Sequence, residues 1–204
     1  MCKESGWHWL VNDGGPLIVL PGEAASHWEG ITAPSNGRVV EAKFRFDTDT
    51  ATDYDRACDV ETVAALISVG ASWGLVIDQD VPNAAWMKLP NTDTFFIVSV
   101  LYANDRSDQQ IIHVFRSRKP EEWERVASEL SVGNDDLILM HAADSLRDNY
   151  INVRNPETKD VHSANIDIGS PILYRTQPGI YHVDACQVNL AEEAHFTFFR
   201  FVQG

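Results

Sequence analysis

YHVDACQVNLAEEAHFTFFRFV, residues 181–202, is the stretch that decides the fold class. Residues 181–188 and 196–202 each read as a strand, rich in β-branched and aromatic side chains, with no long helix between them. In the first, Tyr181, Val183 and Ala185 share one face, set toward the core. His182, Asp184 and Cys186 share the other, set half-exposed. Upstream, 137–140, 164–168 and 172–174 also read as strands, and Pro178-Gly179 reads as a turn. The C-terminal third is therefore strand-rich.

The same rhythm runs through the rest of the chain. Strands are predicted over 7–11, 16–21, 38–46, 62–69, 74–78, 84–89 and 94–102. N12-D-G-G15 is a turn signal of the hairpin kind, because glycine supplies positive φ without steric cost. Short helices are predicted at 22–28, at 108–115 from the spacing of Ile111, Ile112 and Phe115, and at 121–130 behind Pro120. Strands follow one another instead of alternating with long helices. The expected class is α+β, mostly antiparallel β-sheet with a few short helices. No internal repeat or linker divides the chain, so one domain over 1–204 is expected, with a weak division near 118–135.

The chain has 204 residues and is 44% apolar, enough for a sizeable core. No apolar run approaches the length of a membrane span. The start, MCKESGWHWLVNDGG, lacks the apolar stretch of a secretory signal, and no lipid anchor is expected at Cys2. Three cysteines without a CxxC pair point to a reducing, cytoplasmic setting. The net charge of −14 disfavours nucleic acid and anionic membranes as partners. It favours encounter with a basic protein, or serves only solubility.

Residues 47–61 carry Asp47, Asp49, Asp53, Asp55, Asp59 and Glu61 against Arg56. As an EF-hand loop starting at Asp47, the stretch fails at Ala51, at Thr52 where the sharp turn needs glycine, and at Cys58 where a bidentate Glu is needed. The DxD at Asp47 and Asp49 resembles a phosphatase edge, yet that chemistry needs a buried parallel strand, and 38–46 alternates. A metal site at His182, Asp184 and Cys186 is disfavoured by geometry. Alternate residues of a strand lie about 6.6 Å apart, too far for one ion to take all three. The histidines form no HxH or HExxH, and there is no GxSxG, P-loop or GxGxxG. No catalytic residue, metal or cofactor is expected. Six tryptophans are mostly core candidates, with Trp7 and Trp9 placed to pack on Trp28. Trp86, close in sequence to Asp78 and Asp80, is a candidate interface anchor.

In order along the chain, W9-L-V-N-D-G-G-P-L-I-V-L-P21, H27-W-E-G30, D53-Y-D-R-A-C-D-V60, I67-S-V-G70 and G74-L-V-I-D-Q-D-V-P82 resemble the bacterial immunity protein 21 family, as do L139-M-H-A-A-D-S145 and P178-G-I-Y-H-V-D-A185. The resemblance covers most of the chain. P34–T52 is longer than the family pattern, and N149–H162 does not align with it. The resemblance implies a cytoplasmic antidote of a polymorphic toxin system, which binds a toxin domain and blocks it without catalysis. The charge favours a basic nuclease as that toxin. Competing readings are a metal-dependent hydrolase using the DxD and a carbohydrate-binding or structural β module.

The matched positions Gly14, Gly15, Pro16, Trp28, Tyr54, Arg56 and Cys58 are expected to be structural. Arg56 is expected to pair with Asp53 or Asp55, and Cys58 to pack inward. Asp53, Asp55, Asp59, Glu61, Asp78, Asp80 and Trp86 are the candidate partner-binding residues. The competing reading of the acidic stretch is a solvated structural turn.

Overall fold

A computed structural model describes residues 9–11, 14–32, 34–35, 50–77, 83–89, 92, 94–105, 107–133, 136–146 and 171–204. The strands predicted at 38–46 and 164–168, the DxD at Asp47 and Asp49, and Trp7, Asp78 and Asp80 lie outside these residues.

Among the described residues eleven strands form two sheets, and every pairing is antiparallel. The six-stranded sheet joins β1 (Trp9–Val11), β5 (Asn83–Lys88), β6 (Phe95–Ala103), β11 (Ala194–Gln203), β10 (Gly179–Asn189) and β7 (Glu124–Val132), in that spatial order. The five-stranded sheet joins β3 (Ala64–Val69), β4 (Ser72–Ile77), β2 (Leu17–Pro21), β8 (Asp136–His141) and β9 (Ile172–Arg175). The predicted α+β class with mostly antiparallel sheet is what the chain adopts.

Three apolar layers hold the molecule together. Strand parity sends Leu17, Val19, Leu75, Ile77, Leu137 and Leu139 into a central layer, where they meet Trp86, Phe95, Ile97, Phe199 and Phe201 of the other sheet. The alternate residues Ile18, Leu20, Val76, Ile138 and Met140 face outward. There they are covered by Trp28, by Ala57 of α1 (Asp53–Cys58) and by Leu146. Phe96, Val98, Phe196 and Phe198 line the outer face of the six-stranded sheet under α2 (Asp108–Arg116). Central strands are thus buried on both faces, which explains runs such as LIVLP and FFIVSV without strict alternation. Each large apolar side chain so buried contributes about 1.5–3 kcal/mol.

α2 forms where its spacing predicts. Ser107 caps it by accepting from Gln110 N at 3.3 Å, and Ile111, Val114 and Phe115 turn inward. Phe115 stacks on Phe96 at 4.0 Å between centroids. The helix predicted over 22–28 is one 3-10 turn at Ala25–His27.

The helix predicted over 121–130 is absent. Pro120 opens a single 3-10 turn, and the chain then runs as β7. Ala127 pairs with Val183 but Leu130 pairs with Tyr181, so β7 carries one extra residue over that interval. This bulge lets Ala127 and Leu130 both face the core at a spacing of three, which imitates a helical period.

The strands on either side of the predicted turn at 12–15 take different partners than a hairpin would give them. β1 pairs with β5, and β2 pairs with β4 and β8, so β1 and β2 belong to different sheets. Gly14 and Gly15 do take positive φ there, 120° and 86°. Trp9 and Trp28 do not meet: Trp9 packs beneath the α2 side and Trp28 on the α1 side.

Candidate functional site

Residues 53–58 of the acidic stretch form α1, which becomes a polar anchor on the outer face of the five-stranded sheet. Thr52 caps the helix, its hydroxyl accepting from Asp55 N at 3.1 Å. The Asp55 carboxylate accepts from Thr52 N and from the Thr52 hydroxyl, both at 2.7 Å. This reciprocal capping box satisfies donors that a helix N-terminus otherwise leaves open.

Asp53 ties the helix to the preceding loop. It accepts from Glu29 N at 2.9 Å and from Ser35 Oγ at 2.6 Å. Arg56 Nη1 lies 3.0 Å from Asp53 Oδ1 and also donates to Ser35 Oγ at 3.1 Å. Its other branch, Nη2, donates to Ser68 O at 2.7 Å and Ser68 Oγ at 3.0 Å. Ser68 lies on β3, the edge strand of this sheet among the described residues, so Arg56 both neutralises Asp53 and closes a carbonyl there.

The other matched positions converge on this anchor. Tyr54 N donates to Gly30 O at 3.2 Å. A Cβ placed on Gly15 would stand 2.5 Å from the Tyr54 hydroxyl oxygen, and one on Gly30 would stand 2.2 Å from Ala143 O. Trp28 Nε1 donates to Ala142 O at 2.9 Å, and Ala142 N donates to Pro16 O at 3.0 Å. Cys58 is half-buried instead of packed fully inward.

This geometry corrects three of the expected binding residues. Asp53 and Asp55 are 2% and 0% exposed, held by internal donors, and cannot face a partner. Trp86 is a core residue. It lies 5.1 Å from Tyr174 and 5.2 Å from Phe201, ring centre to ring centre, between the two sheets. Asp59 is half-buried just past α1, and Glu61 is exposed; these two are the described acids of the stretch that reach solvent.

A second polar cluster, on the outer face of the six-stranded sheet, was missed by sequence reasoning. Asp184 on β10 stands opposite Arg200 on β11 and Arg125 on β7. Arg125 Nε donates to Asp184 Oδ1 at 2.5 Å, and Arg200 Nη2 donates to Asp184 Oδ2 at 2.8 Å. The Arg200 guanidinium lies over the Trp123 ring, 4.3 Å from its centre. Burial works against ionisation of Asp184, but its bonds to Arg125 and Arg200 outweigh that and hold the carboxyl below its ordinary range.

The expectation that His182, Asp184 and Cys186 share a half-exposed face fails in detail. Cys186 is buried beneath α2, and burial, aided by the charge of Glu122, pushes its thiol up. His182 Nδ1 contacts Ser128 O, while Asp184 takes the arginines. The three residues thus enter three different environments. Among the described residues no group of three or more His, Cys, Asp or Glu side chains could hold a metal ion. Among them, too, no helix is long and apolar enough to cross a membrane.

A two-sheet α+β domain, with a buried polar anchor under one sheet and an arginine pair over the other, is the class these features define. The chain belongs to the Immunity protein 21 family, whose sequence model matches residues 8–194. Family membership makes it an immunity protein of a polymorphic toxin system. No curated protein and no solved structure matched the chain.

Proposed function

We propose that this protein neutralises a cognate toxin domain by binding it and covering its working surface, without catalysis, in the cytoplasm of the cell it protects. The family match over 8–194 carries this reading. The net charge of −14 supports a basic toxin, such as a nuclease. A field of that sign accelerates the approach of a cationic domain, while affinity comes from a few desolvated contacts. Asp59 and Glu61, beside α1, are the described members of the original acidic set that remain able to take part.

Co-expression with the toxin domain encoded beside its gene tests the reading. Growth should be rescued when both chains are made and lost when this one is omitted. The association rate should fall steeply as ionic strength rises from about 0.01 to 1 M, where the screening length shrinks from about 30 to 3 Å. A rate independent of salt would remove the basic-toxin part and leave neutralisation standing.

A further inference from the structure

We draw no further inference here: the strongest candidate, the surface patch at the end of the six-stranded sheet where exposed Leu101 and Tyr102 of β6 adjoin exposed Glu192 and Glu193 in the turn between β10 and β11, carries nothing because nothing in the structure shows what covers it.

Discussion

Arg56 shows how much a single side chain can hold. Its planar fork reaches Asp53, Ser35 and both acceptors of Ser68 at once. Arg56→Ala would leave the buried Asp53 carboxylate without its cation, at a cost of about 3–5 kcal/mol. Arg56→Lys should recover little of it, because one ammonium cannot serve both directions. Chemical denaturation of the two variants at constant m-value would check this. Gly15 is comparably constrained, with φ at +86° and the Tyr54 hydroxyl in the way of any Cβ. Gly15→Ala is expected to cost about 1–3 kcal/mol, and Tyr54→Phe in the same background should give part of it back.

Asp184 makes a pH prediction of definite sign. Its carboxyl is held below the ordinary value of 3.8 in the folded protein. The stability it contributes is therefore present above the unfolded value and is lost as pH falls below about 3.8 through the lowered folded value. Asp184→Asn should lower stability at neutral pH, and the two unfolding curves should converge on acidification. The thiol of Cys186 is pushed up and lies under α2, so a disulfide reagent at neutral pH should modify it only as fast as that layer opens. Labelling of Cys186 at the rate of a free thiol would contradict the packing described.

At the scale of elements, α1 is short and depends on its cap. Thr52→Ala removes the hydroxyl from the reciprocal box and should cost about 0.5–2 kcal/mol. Amide exchange should speed in α1 while the central strands stay protected. The signal for this helix was present as T52-D-Y-D55, but with Asp in place of the more usual Glu or Gln at the third position. β7 shows the opposite failure. Val126, Ala127 and Leu130 carry a helical spacing behind a proline, a common helix start. The local pattern is real, yet its cause is a bulge that only the pairing with β10 creates. Pairing with β10 overrode local preference in β7, and at the other end of the same sheet pairing gave β1 a partner, β5, distant in sequence.

Across the whole molecule, stability rests on three apolar layers that must close together. Phe199 is fully buried between the sheets, so Phe199→Ala should cost about 3–5 kcal/mol and lower the urea midpoint accordingly. Val19 pairs with both Leu75 and Leu139, and Leu17 with Ile77 and His141. Such pairings close long loops before contacts compensate for them, so refolding is expected in milliseconds to seconds, as stopped-flow tryptophan fluorescence can measure.

By itself the sequence determined the class of fold, most strand positions, α2, the glycines at the 14–15 turn and the family. These follow from periodicity, turn chemistry and ordered motifs, all of which act over a few residues. Only the tertiary structure decided that Asp53, Asp55 and Trp86 turn inward, and that Arg125, Asp184 and Arg200 meet on one face. Burial of an acid depends on which donors surround it. Glu29 and Ser35, which meet Asp53, lie 24 and 18 residues away. Arg125 and Asp184 lie 59 residues apart, and strand register alone brings them together.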